Sequence, residues 1–299
     1  MRVLFRLIWQ VITLPFRWIK GVVEDVRFFL TEEPDDAPIA DSFQKAMENP
    51  SGLLVHLDAL RKHLTRAVIV LAVAVVISFT FSSQIIDFLA QPVGGMNELV
   101  AIDPTEPIST FMRVSLLSGF VIALPYIILE LWLFIGPGLS RESRMFGLYS
   151  IPVALVFFVG GLAFSYYVML PTAIPFLINF MGMTTQLRPS SYIRFVIAIM
   201  FWIGVAFLFP LIIYVLARVG LIRGEVLAKQ WRLAIVIMAV AAALITPTVD
   251  PVNMSLVLGP LLILYALSIG LAKIAERGRR ARQARQAEAQ ENSINPTSP

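Results

Sequence analysis

Four short stretches carry side chains able to do chemistry in an otherwise apolar sequence. "HLDALRKHL", residues 56–64, holds Asp58, Arg61 and Lys62 beside the chain's two histidines, His56 and His63. "LPYIILELWLFIGPGL" carries Glu130 six residues before Gly136. "FIGPGLSRESRMF" turns on Gly136, Pro137 and Gly138 and then shows Arg141, Glu142 and Arg144. "ALITPTVDPVN" places Asp250 immediately before Pro251. The chemistry open to such groups is the pairing of charges, above all guanidinium with carboxylate, which share two parallel hydrogen bonds. Bond-breaking chemistry has no site. The chain has no cysteine, which excludes disulfides and thiol or cysteine–metal sites. It shows no GxSxG, no HExxH and no nucleotide-binding loop. An enzyme, a bound metal or cofactor, and a nucleic-acid partner are therefore not expected.

Each charge has a plain alternative. Glu130 would lie about 9 Å of helix before the turn. A carboxylate at that depth turns toward protein or a watery cavity, or else snorkels to the nearby interface. Asp250 suits the N-cap of the following helix, with Pro251 at its first position. Leu57, Leu60 and Leu64 share one helical face, so "HLDALRKHL" reads as an amphipathic lead-in to the first apolar run.

The elements that hold these residues are membrane spans. Of 299 residues, 58% are hydrophobic, and the mean hydropathy is +0.78. No water-soluble core could bury that excess, so the fold class is an all-α polytopic membrane protein. Six apolar runs are candidates: Ala67–Ile86, Val114–Ile135, Met145–Leu170, Phe195–Ala217, Leu233–Thr246 and Pro251–Ala272. A span needs about 20 apolar residues, and the fifth run has only 14. Twenty-one of the 24 Lys and Arg residues fall in alternate connections and the two terminal segments. That bias predicts six transmembrane helices with both termini and the "PGLSRESR" knob in the cytoplasm.

Outside the spans, residues 1–30 place polar side chains at alternating steps of four and three. This predicts an N-terminal amphipathic helix lying in the membrane interface. Residues 31–52 read as an acidic, proline-containing linker, 53–275 as the six-helix membrane domain, and 276–299 as a basic, solvated and disordered tail.

Read in order, "HLDALRKHL", "PTEPISTFMRVSL", "LPYIILELWLFIGPGL", "GGLAFSYYVMLP", "SYIRFV", "GVAFLFP" and "TPTVDPVN" resemble the TatC family, the receptor and core subunit of the twin-arginine protein translocase. The resemblance covers about residues 53–275. It implies a glove-like fold of six helices with short fifth and sixth helices, located in the cytoplasmic (inner) membrane. It also implies partners: twin-arginine signal peptides of folded precursors, small single-span subunits of the TatA/TatB type, further copies of the chain within a complex, and membrane lipid. In the family, the lead-in helix and the first cytoplasmic loop bind the twin-arginine motif. Carried over by position, that assigns Asp58, Leu60, Arg61, Phe134, Arg141 and Glu142 to signal-peptide binding, and Glu130 and Asp250 to polar points of the cavity.

The chain departs from the family pattern at several of these positions. Ala59 stands where the family's lead-in carries glutamate, with Asp58 one residue, or about 100° of helix, away. Ser143 stands where the loop carboxylate is usual, with Glu142 one earlier. Leu208 replaces an acid of the fourth helix, and Glu130 replaces the usual glutamine of the second. Three functions follow from these observations. The first is a translocase subunit that binds signal peptides and recruits partners, driven by the proton gradient. The second is a divergent relative that no longer reads ordinary twin-arginine motifs. The third is a small-molecule or ion transporter built on Glu130 and Asp250.

Overall fold

The computed structural model describes residues 50–136, 141–179, 187–246 and 250–294. The expected interfacial helix 1–30, most of the expected linker 31–52 and the segments 137–140 and 247–249 lie outside them. The described chain is almost wholly helical. In order it runs α1 (Pro50–Phe79), α2 (Ser82–Ala90), α3 (Glu106–Ile135), α4 (Arg141–Phe164), a π-helical turn at Ser165–Met169, α5 (Leu170–Ile178), α6 (Pro189–Val219), α7 (Gly224–Lys229), α8 (Trp231–Ile245) and α9 (Pro251–Ile294).

Among the described residues, five stretches are long and apolar enough to cross a membrane: Leu57–Phe79, Glu106–Ile135, Gly147–Ile178, Pro189–Val219 and Pro251–Ala281. The fifth apolar run of the sequence is α8, with 15 residues. At 1.5 Å per residue it spans about 22 Å, short of the roughly 30 Å hydrocarbon layer.

Four expectations need correction. The first apolar run does not continue as one helix to Ile86: it breaks at Thr80–Phe81 and resumes as α2. The last helix is not short, because Pro251–Ala281 is a 31-residue apolar stretch within a 44-residue helix. The tail from 276 is not disordered, because α9 continues to Ile294. Alanine, arginine, glutamine and glutamate are strong helix formers, and Glu276 bonds Arg280 one turn on, at 2.6 Å. Finally, α4 begins at Arg141, so Glu142 belongs to the first turn of a helix and not to a loop.

The fold divides into two compact units. The first holds the described residues up to Val68 together with Tyr126–Ile151, which are the start of α1, the end of α3 and the start of α4. Its tightest approach is at Gly147, where a Cβ would stand 1.7 Å from the Trp132 ring.

The second unit, Ile69–Pro125 with everything from Pro152 onward, contains the main apolar core. Phe158, Met169, Leu170, Ile193, Val196, Ile199 and Ile203 are fully enclosed there. α9 packs along α6, α7 and α8. Paired hydroxyls join helices within the unit. Ser78 bonds Ser118, and Ser82 bonds Ser115 at 2.6 Å. Such bonds suit spans, because lipid offers a hydroxyl no alternative partner. The π turn at Ser165–Met169 precedes Pro171. Proline lacks an N–H and its ring crowds the carbonyl four residues back, and the wider turn accommodates both. α6 ends at Gly220, with φ +97°. There the Gly220 N–H donates to the Ala217 carbonyl and the Leu221 N–H to the Leu216 carbonyl. Only glycine adopts that left-handed closing conformation freely.

Candidate functional site

In the first unit, the stretch Leu57–Arg66 of α1 turns its leucines outward. Leu57, Leu60 and Leu64 are 52%, 40% and 60% exposed, and Asp58 and Arg61 are exposed beside them. The inward positions are Ala59, His63 and Arg66, at steps of four and three. The leucines thus share the outward surface with Asp58, Arg61, Lys62 and Thr65, while His63 and Arg66 are the polar side chains turned toward protein.

What draws His63 inward is Glu130. That residue is 1% exposed, so its carboxylate is turned to protein and does not snorkel to the surface. His63 Nδ1 lies 2.5 Å from Glu130 Oε2. A carboxylate can only accept, so the ring Nδ1–H donates. The Tyr126 hydroxyl, one turn earlier on α3, donates to Oε1. The His63 ring also meets Phe134 edge-on, with centroids 6.2 Å apart.

This crossing organises the candidate residues. Leu60 lies within one turn of His63 on the outward side of α1, and Phe134 lies four residues after Glu130 on the same helical face. The bond therefore brings the parts of α1 and α3 that carry Leu60 and Phe134 to one place. Thr65 Oγ1 donates to the Arg61 carbonyl at 2.7 Å, so the backbone around Arg61 is tied locally. Arg141 and Glu142 open α4, and their side chains lie outside the described residues.

Asp250 and two further groups belong to the second unit. Asp250 Oδ1 accepts the Asn253 N–H at 2.7 Å and Oδ2 accepts Asn253 Nδ2 at 2.9 Å, while the Asp250 carbonyl accepts the Met254 N–H. This is the N-cap of α9. Leu208 is a half-buried residue of α6. At the N-terminal end of α3, Glu106 is 4% exposed and accepts both Arg188 Nε, at 2.8 Å, and Arg188 Nη2. Nearby, the Tyr166 and Tyr192 hydroxyls donate to the Phe88 and Leu89 carbonyls at 2.8 and 2.6 Å, binding α2 to the π turn and α6. Asp103, exposed just before α3, accepts the Thr105 N–H at 2.8 Å and the Thr105 hydroxyl at 2.7 Å. These bonds hold its carboxyl below the ordinary carboxylate range.

Sequence reasoning missed His63, Tyr126, Glu106 and Arg188 as partners. Only Tyr126–Glu130 had a local signal, the i,i+4 spacing. The other two pairs are separated by 67 and 82 residues.

Comparison with known proteins follows the same residues. The family described as "Sec-independent protein translocase protein (TatC)" matches residues 55–260. A protein of that name from Deinococcus radiodurans is 37% identical over 232 residues, covering 74% of this chain and 86% of the relative. Another, from Carboxydothermus hydrogenoformans, is 33% identical over 229 residues, covering 76% and 94%. A crystal structure of the twin-arginine translocase receptor TatC in DDM shares 34% identity at a TM-score of 0.67, covering 73% of this chain and 99% of that one.

Proposed function

The chain belongs to the TatC family of Sec-independent protein translocase proteins, and from that premise we propose that it is the receptor that binds twin-arginine signal peptides of folded precursors. In this reading Leu60 and Phe134 form apolar walls, and the exposed Asp58, together with Glu142, supplies carboxylates for the two guanidiniums. Arg61 and Arg141 flank them and orient the acids. Glu130 and Asp250 are the polar points of the membrane wall, the first at the α1–α3 crossing and the second capping α9.

The observation that supports this most is the outward leucine face of α1. Leu57, Leu60 and Leu64 are held out from protein, beside exposed Asp58 and Arg61, on a helix tied to α3 within one turn of Phe134. A signal peptide offers two arginines followed by an apolar segment, and that surface offers an acid beside leucines. Guanidinium–carboxylate pairs are charge-assisted and geometrically selective.

The remaining features follow from the same reading. Six segments cross the cytoplasmic membrane, α8 as a short span that thins the bilayer, with both termini in the cytoplasm as the basic residues direct. The protein works without catalysis or cofactor, in a complex with further copies of itself and with single-span subunits of the TatA/TatB type, driven by the proton gradient.

Co-purification of a twin-arginine precursor against its twin-lysine counterpart tests the proposal. The twin-arginine form should be retained preferentially. Glu142→Gln should weaken retention and Ala59→Glu should strengthen it. Equal retention of the two precursors would instead make the chain a divergent relative that assembles without reading the motif.

A further inference from the structure

We propose that His63 is a positioning residue of the signal-peptide site: its bond to Glu130 sets the register of the α1 lead-in, and so the placement of Leu60 and Arg61 against Phe134. The inference rests on the receptor reading above and adds a device to it.

Apolar packing cannot set that register. Over residues 57–66 the inward stripe is Ala59, His63 and Arg66, and the leucines point away. One methyl group buries too little surface to choose between neighbouring rotations of a helix. A directional bond can choose. Burying a carboxylate is costly, and Glu130, five residues from the C-terminal end of α3, is too far from any helix N-terminus for the helix field to offset that cost. A glutamine at this position would fill the same volume and accept a hydrogen bond without that cost. The carboxylate therefore marks a need for the stronger, charge-assisted acceptor. Fixing register at some expense in stability is the best-attested role of buried polar pairs. The geometry is specific to one ring nitrogen: Nδ1 faces Glu130, while the ring edge packs on Phe134. His63 thus touches both the anchor and one wall of the proposed site.

The test exploits two facts. The chain is naturally free of cysteine, so a spin label can be placed cleanly at Val68→Cys, on the outward face and one turn beyond the leucines of the proposed site. In addition, the asparagine amide nitrogen stands where histidine carries Nδ1. Full-length protein in lipid nanodiscs is compared as the labelled parent and as His63→Leu, His63→Asn, Glu130→Leu and the His63→Leu/Glu130→Leu double variant. Two quantities are read: label mobility by electron spin resonance, and the retention ratio of twin-arginine to twin-lysine precursor.

His63→Leu and Glu130→Leu should each loosen the label and lower the ratio by about tenfold or more, the size of effect that follows loss of a hydrogen bond to a charged group. The double variant should be no worse than either single one, because both remove the same bond. His63→Asn should restore both readouts to within about twofold of the parent. A merely space-filling role would favour leucine over asparagine. Unchanged mobility and ratio in His63→Leu, or no recovery in His63→Asn, overturns the proposal. If the parent itself shows no twin-arginine preference, the receptor reading falls, and the label result alone decides whether His63 sets the register of α1.

Discussion

α3 carries a buried glutamate near each end, and the two are held in opposite ways. Glu106 is the first residue of the helix, where the macrodipole favours a negative charge. Its partner is Arg188, charged at every accessible pH, whose side chain is 44% exposed and keeps its own hydration. Glu130, more than one turn from the other end, has no help from the helix field and relies on a histidine and a tyrosine. Local field, permanent counter-charge and a wet partner all support Glu106, so it serves as a clasp. Glu130 has hydrogen bonds alone, which suits a contact that selects a geometry. The same side chain on one helix thus does different work according to its distance from the helix N-terminus and the nature of its partner.

The largest expected effect separates stability from recognition. Arg188→Leu leaves Glu106 enclosed without its counter-charge. It should cost about 1–3 kcal/mol, reduced from the fully buried case because the arginine is half exposed. Glu130→Leu replaces a buried acid with an apolar side chain of similar volume and leaves His63 partly exposed to solvent, so its effect on stability should be within about 1 kcal/mol. Thermal unfolding in detergent measures both, and precursor retention should rank them the other way. Equal destabilisation by the two changes would erase the distinction.

Asp250 tests whether position within a helix is the deciding variable. Like Glu106 it sits at a helix start, but as a cap. Asp250→Ala should lower stability by about 1 kcal/mol, and Asp250→Asn, which still accepts from the Asn253 N–H, by less. A loss from Asp250→Ala larger than that from Arg188→Leu would show that capping of α9 outweighs the ion pair.

The smallest effect concerns Asp103, just ahead of Glu106. Hydrogen bonds from the Thr105 N–H and then the Thr105 hydroxyl lower its pKa, and the Arg188 charge adds to them. A lowered carboxyl contributes stability above its ordinary value, and that contribution is lost as pH falls through the lowered one. Thr105→Val removes the hydroxyl and leaves the N–H. The Asp103 titration, followed by carboxyl NMR, should therefore move only part of the way back. No movement would mean that the backbone bond acts alone.

How much of this was readable in advance varied by residue. Asp250 was legible as a cap because capping is local: the acid, the proline and the helix start are adjacent. The 14-residue fifth run announced the short α8 because span length is a property of consecutive residues. The tail misled because its charge suggested solvation and disorder, whereas its alanine, arginine and glutamine content supports a helix. Glu142 was assigned to a loop because the glycines and proline before it mark a turn but do not say where the next helix begins. The role of α1 was half visible. The leucine stripe was plain, but its direction was not.

The sequence by itself determined the membrane class, the positions of the long apolar helices and the family. Apolar run length and the order of short motifs survive without knowledge of neighbours. Tertiary structure alone decided that the leucines of α1 face away from protein, that Glu130 meets His63 and that Glu106 meets Arg188. Each depends on which helix stands opposite, across 67 or 82 residues of intervening chain. A buried carboxylate takes its physical meaning from the donor that reaches it, and helical periodicity carries no information about a donor on another helix.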